Sequence, residues 1–219
     1  MFTFFHKKEK ITLDVFTCDT VAYNCSPVVK ATKMIPDWWK ELPIPSIGDA
    51  FNNMDCGPIQ TNMKRCFGFF ELFKKSFIVS MAYDLHLKII NDVINYYTLG
   101  PAPQFHQKSH YGDAFPNHKN IKITSPWLFH EKTGIYFAVF GAEWNLHKFN
   151  IKVLPGIDNY IIPQQGNINL MLQTNLKEEY NIYLKIGTPL YHIVPLTEKQ
   201  VEIKCHLITS DEYKKLLYK

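Results

Sequence analysis

Residues 180–195 read YNIYLKIGTPLYHIVP, which is two runs rich in large apolar residues on either side of Gly187 and Pro189. In the first run Ile182 and Leu184 recur at a period of two, which is typical of a β-strand. Because glycine and proline interrupt regular structure, this stretch predicts two short strands joined by a turn.

The same pattern continues outward from this stretch in both directions. The predicted strands cover residues 121–124, 134–141, 148–154, 167–173, 180–186, 189–195 and 201–208. Regular short strands separated by Gly, Pro and Asn indicate a sandwich or barrel, rather than a parallel sheet with crossover helices. After them Ser210, followed by two acidic residues, predicts the cap of a short terminal helix that ends in lysines.

The first half of the chain mixes both periodicities. A strand and a bend are predicted over residues 10–23. Two strands or one bent strand are predicted over 76–90, followed by an Asn91-Asp92 turn and a partner strand at 93–99. Helical spacing predicts helices over 30–42 and 62–75. We expect the first to become regular near Pro36 and the second to be capped by Thr61. Residues 44–57 and 100–120 read as long loops, and loops of that length often carry function.

The predicted fold is therefore α+β and β-dominated. We expect an antiparallel β-sandwich or a barrel with two helices in the N-terminal half and a short C-terminal helix. A length of 219 residues and a hydrophobic content of 46% are enough for one domain, residues 1–219, with a packed core.

Charge excludes some classes of function. The chain has 24 Lys and Arg against 20 Asp and Glu, a net charge of +4, and Arg65 is its only arginine. A histone-like coat of nucleic acid needs many neutralised phosphates, so we expect no nucleic-acid partner. Guanidinium is the group that binds phosphate or carboxylate bidentately, and many sites for these groups use several arginines. A chain with a single arginine cannot form such a site.

The sequence predicts a cytoplasmic location, or the host cytoplasm for a viral protein. No apolar run approaches the roughly 18 residues that a membrane helix needs, and residues 1–10 are too polar for a signal peptide. Five cysteines without a CxxC pair fit unpaired thiols in a reducing compartment.

Four residues of the 100–120 loop are candidate metal ligands, namely His106, His110, Asp113 and His118. His106 and His110 would share a face on a helix, but the prolines and glycines around them disfavour a helix there. We therefore interpret them as solvent-exposed loop residues, and the sequence predicts neither a metal nor another cofactor.

Aromatic residues crowd the two predicted helices. Adjacent helical positions point about 100° apart, so we expect one of Trp38 and Trp39 to be buried against the sheet, with a partner interface as the alternative. Phe67, Phe69, Phe70 and Phe73 are expected in the core. For Cys66 no activating base is identifiable, which predicts an inert buried thiol.

The layout of residues 155–160, 166–172 and 186–195 resembles the second half of the β-clip proteins of the deoxyuridine triphosphatase and deoxycytidine triphosphate deaminase superfamily. The resemblance implies that Asp158 activates a water molecule and that Tyr160 shapes a base pocket. From the residues alone, we favour the interpretation that Asp158 caps a turn between two strands. The superfamily's Ser- and Arg-containing phosphate loop and Gly-rich tail are missing here, so the resemblance implies that the barrel alternative is a β-clip-like barrel, and it does not imply the activity.

A broader resemblance is to a family of phage and bacterial proteins that has no assigned activity. It rests on residues 35–40, 64–69 with Asp84, 125–127 with 134–136, 156–158 and 187–189. The resemblance implies one compact domain and a viral source.

These observations predict a non-catalytic binding or assembly protein that acts through a surface. Its partner would be another protein or a second copy of the chain, and not a membrane. The alternative is a nucleotide or small-molecule binding enzyme related to the deoxynucleotide triphosphatases, with Asp158 and Tyr160 in its pocket and the 100–120 loop as a lid.

Overall fold

The structure is a computed structural model that describes residues 10–44, 63–90, 93–174 and 179–218. β-strands dominate it. The strands are β1 (Lys10–Thr17), β2 (Val29–Lys30), β3 (Phe77–Ser80), β4 (Leu85–Ile90), β5 (Val93–Thr98), β6 (Gln104–Phe105), β7 (His118–Ile123), β8 (Leu128–Glu131), β9 (Tyr136–Gly141), β10 (Ile151–Val153), β11 (Gly156–Asn159), β12 (Gln164–Gln165), β13 (Ile168–Gln173), β14 (Tyr180–Leu184), β15 (Pro189–Pro195) and β16 (Gln200–Leu207).

Within these residues the helices are short. The α-helices are α1 (Thr20–Cys25), α2 (Asp37–Glu41), α3 (Phe67–Lys75), α4 (Glu143–Leu146) and α5 (Ser210–Leu217), and one-turn 3-10 helices cover Ala31–Met34, Met63–Arg65 and Lys108–His110. No helix in the described ranges is long and apolar enough to cross a membrane.

The strands form four sheets in the described part of the chain, and none closes into a barrel. Their orders are β12-β8-β1-β16, β10-β13-β7-β6, β11-β9-β15-β3-β2 and β14-β4-β5. Almost every pairing is antiparallel, as the sequence predicts, and the exception joins the two ends of the chain: β1 runs parallel to β16, with Lys10 opposite Gln200. The α+β, β-rich fold class is confirmed.

One large apolar core lies between the sheets and a smaller one lies under α3. The large core takes every second residue of β1 and β4, and its bulkiest fully buried side chains include Trp127, Phe129 and Phe137. The smaller core packs Phe69 and Phe73 of α3 against Ala31, Ile78 and Ala142. This second core positions the candidate functional site.

Several predicted elements have the expected place. β15 has the predicted bounds, and α2 begins directly after Pro36, whose extended backbone caps it. Proline suits this position because its missing amide has no helical partner there. β4 and β5 pair as a hairpin with Ile90 opposite Val93, while the predicted Asn91-Asp92 turn lies outside the described residues. So do Thr61 and most of the predicted 44–57 loop.

Other elements differ from the prediction. The segment after β1 folds as α1, capped by the Asp19 carboxylate, which accepts from the Ala22 amide. β8 and α4 were not predicted. The terminal helix is capped by Thr209 and not by Ser210: the Thr209 hydroxyl accepts from the Glu212 amide, and the Glu212 carboxylate accepts in return from the Thr209 amide.

Two expectations about side chains need correction. Phe67 and Phe70 are not in the core: they are 76% and 52% exposed, and only Phe69 and Phe73 of this helix are buried. The reason is the helical period. Phe69 and Phe73 are four positions apart and share the face that is buried, whereas Phe67 and Phe70 lie on other faces of the helix. Cys66 is half-buried and forms the N-cap residue of α3; it is a free thiol, as are Cys18, Cys25 and Cys205.

His192 of β15 is a buried histidine between the sheet and α3. Its Nδ1 lies 2.8 Å from the Ser76 hydroxyl, its ring packs between Phe73 and Phe140, and its Nε2 has no hydrogen-bond partner. Burial lowers the pKa of His192 to about 4. The imidazole is therefore neutral in the folded protein at neutral pH.

This histidine should make the folded state sensitive to acid. In the unfolded chain His192 is protonated near its ordinary pKa of 6.5, whereas in the folded protein it is protonated only near pH 4. The contribution of the neutral imidazole to the free energy of unfolding is therefore fully present above pH 6.5 and is lost as the pH falls from 6.5 to about 4. The loss should total about 3 kcal/mol. Urea unfolding at a series of pH values measures it. The variant His192→Leu should lack this slope, and equal slopes in the variant and the wild type would contradict the assignment.

Candidate functional site

Two aromatic segments that are separate in sequence meet on the surface of the protein. The Trp39 indole N–H donates to the Met63 carbonyl at 3.1 Å, and the Lys64 ammonium donates to the Lys40 carbonyl at 2.9 Å. The same ammonium lies 4.9 Å from the centre of the Trp39 ring, a cation–π contact. These bonds join α2 to the 3-10 helix that precedes α3.

The rings of the two segments stack around Phe69. Trp39 lies parallel to Phe69 at 5.3 Å, Phe73 stacks on it at 4.6 Å, and Trp144 meets it edge-on at 5.4 Å. Trp38 approaches Phe69 at 6.0 Å. We call these five residues the aromatic cluster. Such stacked and edge-on pairs add to the burial energy of the rings, so Phe69 is the centre of the cluster.

Helix α4 completes the site from the other half of the chain. The Trp38 indole N–H donates to the Trp144 carbonyl at 2.9 Å, and the Asn145 amide donates to the Met34 carbonyl at 3.1 Å. Between these elements lies a groove of about 370 Å³, which we call the Trp cleft. Its lining residues are Lys33, Met34, Ile35, Pro36, Asp37, Trp38, Lys40, Trp144, Asn145, His147, Lys148 and Pro189.

The Trp cleft is cationic. Among the described residues, Asp37 is the only carboxylate that lines it. Asp37 is paired with Lys40 at 2.7 Å, a hydrogen bond that lowers the pKa of the aspartate. The charge of Lys148 lowers that pKa further, which places a second ammonium near the carboxylate. Lys33 and Lys148 are exposed and make no ion pair within the described part of the chain. The described lining of the cleft therefore carries a net positive charge from Lys33 and Lys148.

The prediction that one of Trp38 and Trp39 is buried against the sheet is wrong: both are half-buried and contact Phe69 of α3. Trp144, His147 and Lys148 were missed. Helix α4 has four residues, which is too short for an apolar period to be visible, and Trp144 lies 106 positions from its partner Trp38. The available signal was a tryptophan followed closely by a histidine and a lysine between two strands.

The structure places Asp158 and Tyr160 together at a sheet edge. Asp158 lies in the edge strand β11 opposite Phe137, and its carboxylate accepts from the Tyr160 hydroxyl at 3.1 Å. Tyr160 is 1% exposed and stacks on Phe129 and Phe137. Burial raises the pKa of Tyr160. Neither residue lines the Trp cleft, and their proposed roles in water activation and base binding stay predictions.

The four metal candidates are only partly brought together. His106 and His110 do meet, with 3.1 Å between their Nδ1 atoms, because the 3-10 turn at Lys108–His110 folds the chain back on itself. The Asp113 carboxylate instead forms an ion pair with the Lys108 ammonium at 2.8 Å, and the His118 ring packs against Phe115. Across the described ranges, no three His, Cys, Asp or Glu side chains are placed to share a metal ion.

Comparisons with known proteins identify no relative. No family model, no curated protein and no solved structure matches the chain. The function must therefore be argued from the chemistry of the surface.

Proposed function

We propose that the protein is a non-catalytic binding or assembly protein, and that its Trp cleft docks an acidic segment of a partner protein carrying a large apolar side chain. The lining of the cleft carries this proposal. It combines two tryptophans with lysines, and the one carboxylate in its described lining is already neutralised by Lys40.

The two kinds of residue have separate tasks in this proposal. Tryptophan offers a large contact area with little loss of conformational entropy and is enriched where protein interfaces carry most of their energy. Trp144 is 38% exposed, so part of its ring is free to contact a partner. The unpaired ammonium groups of Lys33 and Lys148 favour an acidic partner and accelerate its approach.

A protein segment fits the cleft better than a nucleic acid does. Single-stranded nucleic acid needs open aromatic faces on which successive bases stack. Here Trp38 is already packed by Phe69, Trp144 and His147. No arginine is present in the described lining of the cleft, although guanidinium is the better phosphate ligand.

The test uses a fluorescent peptide with a central phenylalanine flanked on both sides by glutamates. We expect saturable binding that weakens as salt is added, because screening reduces the attraction between exposed charges. The double variant Lys33→Glu/Lys148→Glu should bind about tenfold or more weakly. Trp144→Ala should also reduce binding, because the ring forms one wall of the cleft.

A matched control changes net charge equally at a distance from the cleft. Lys132 and Lys185 are exposed and do not line it, so Lys132→Glu/Lys185→Glu should bind the peptide as the wild type does. Equal weakening by both double variants would show that binding depends only on net charge, and it would reject the proposal. Tighter binding of a single-stranded oligonucleotide than of the peptide would also reject it.

A further inference from the structure

A second groove shares no residue with the Trp cleft. It has a volume of about 370 Å³ and lies where β6 and β7 meet the 107–117 loop, and we call it the histidine groove. Its lining residues are Ile94, Phe105, His106, Gln107, Lys108, Tyr111, Pro116, Asn117, His118, Lys119 and Thr174. Two histidines and two lysines line it, and no carboxylate of the described part of the chain does.

Strand register places three polar side chains next to one another beside this groove. Phe105 pairs with Ile121, and the His106 amide donates to the Asn120 carbonyl at 3.0 Å, so His106 stands opposite Asn120. His118 precedes Asn120 by two positions in β7 and therefore lies on the same face of the sheet. The face thus carries His106, His118 and Asn120 as immediate neighbours.

Each of these three side chains has a buried polar atom without a partner. The atoms are His106 Nε2, His118 Nδ1 and Asn120 Oδ1, and Asn120 is only 8% exposed. Asn169 Oδ1, on the same face opposite Lys122, is a fourth. A buried polar atom that forms no hydrogen bond costs free energy, so four on one face indicate a position that a ligand completes.

The surrounding charge selects the ligand. Lys119 lines the groove and Lys122 lies on the same strand face as Asn120, and neither forms an ion pair with a described residue. Lys108 also lines the groove but is paired with Asp113 at 2.8 Å, so a metal cation would meet two unneutralised ammonium groups. An anion would be attracted and could accept hydrogen bonds from the imidazoles. The amide oxygen of Asn120 needs a donor, which a hydroxyl group supplies. Phe105, Tyr111 and Ile94 provide apolar walls for a small carbon skeleton.

We propose that the histidine groove binds a small phosphate ester that also carries hydroxyl groups. The phosphate accepts from the histidine N–H groups and lysines, and a hydroxyl donates to Asn120 Oδ1. The groove has the volume of a small-molecule site, at the lower end of the usual range. This site is independent of partner docking at the Trp cleft.

The test is a thermal shift and calorimetric titration of the full chain with α-glycerophosphate. Inorganic phosphate, glycerol and nickel ions are tested in parallel. A ligand that binds only the folded state raises the melting temperature, so we expect a shift with α-glycerophosphate, a smaller one with inorganic phosphate and none with glycerol or nickel. No shift with α-glycerophosphate at millimolar concentration, or binding of nickel alone, would overturn the proposal.

Two variants separate a ligand site from a merely structural cluster. Asn120→Leu removes a buried unpaired oxygen, so it should raise the melting temperature of the free protein while weakening α-glycerophosphate binding about tenfold or more. His118→Leu should weaken binding similarly. His130→Leu changes a half-buried histidine of β8 that lines neither groove and should leave α-glycerophosphate binding unchanged. Wild-type affinity in both Asn120→Leu and His118→Leu would reject the assignment.

Discussion

Phe69→Ala is expected to lower the free energy of unfolding by about 3–5 kcal/mol, the usual cost of truncating a buried phenylalanine. Phe69 is 3% exposed and its ring contacts those of Trp38, Trp39, Phe73 and Trp144. Removing the ring opens a cavity at the centre of the aromatic cluster. It also removes the edge-on contact with Trp38 and the stacking contact with Trp39. Urea unfolding followed by tryptophan fluorescence measures the loss.

The same helix offers matched controls for this prediction. Phe67→Ala and Phe70→Ala delete the same ring from α3 at positions that are 76% and 52% exposed. Because these side chains are largely in water already, each change should alter stability by less than about 1 kcal/mol. A Phe69→Ala protein as stable as the Phe67→Ala protein would show that the aromatic cluster does not hold α3 on the sheet.

The predictions that succeeded from sequence rest on local rules. Pro36 sets the start of α2 because of its fixed backbone angle and missing amide, and Gly187 with φ of +82° allows the turn before β15. Thr209 shows the limit of such rules. Threonine, serine and aspartate near a helix start are all suitable caps, and the reciprocal bonds with Glu212 decide between neighbouring candidates.

What failed from sequence depends on long-range contacts or on very short elements. Strand β8 is buried at Leu128, Phe129 and Glu131, so it lacks the alternation that reveals a half-buried strand. The parallel pairing of β1 with β16 joins residues about 190 positions apart, and no local pattern specifies it. Helix α1 has six residues, fewer than two helical turns, so no apolar period could show it.

The residues of the candidate sites also fall into those that a local sequence pattern identifies and those that only the fold brings together. Sequence identified Trp38 and Trp39, because consecutive tryptophans beside prolines are visible without a fold. It also identified His106 and His118, but as exposed loop residues, whereas the register of β6 on β7 gives them a buried neighbour in Asn120. Which polar atoms lack a partner depends on packing around them, so the composition of the histidine groove could not be read from spacing.

A second large loss of stability is expected at Glu131, which is 1% exposed at the end of β8. Its carboxylate accepts from the Thr133 amide and hydroxyl at 2.7 and 2.6 Å, from the Gly134 amide at 2.8 Å and from the Ile135 amide at 3.2 Å. One side chain thus accepts from three backbone N–H groups and one hydroxyl group of the turn between β8 and β9. Glu131→Ala should cost about 3–5 kcal/mol, because it leaves three backbone N–H groups without their acceptor.

The isosteric variant Glu131→Gln tests whether the charge or only the shape matters. An amide has one acceptor oxygen, and its NH₂ group would face backbone donors that the second carboxylate oxygen now satisfies. Glutamine should therefore restore little of the loss, whereas Thr133→Val, which removes the hydroxyl alone, should cost about 1 kcal/mol. Urea unfolding of the three variants gives the ranking. Glu131→Gln as stable as the wild type would contradict a turn held by the carboxylate.

The Glu131 turn also bears on Asp158 and Tyr160. The Glu131 amide donates to the Tyr160 carbonyl at 2.8 Å, and the Asn159 side chain donates to the Gly134 carbonyl at 2.9 Å. If Glu131→Ala loosens the turn, burial of the Tyr160 ring between Phe129 and Phe137 should loosen with it, seen as faster amide exchange across β11. Unchanged exchange in β11 beside a large loss of stability would mean that the Asp158–Tyr160 pair is held by the sheet alone.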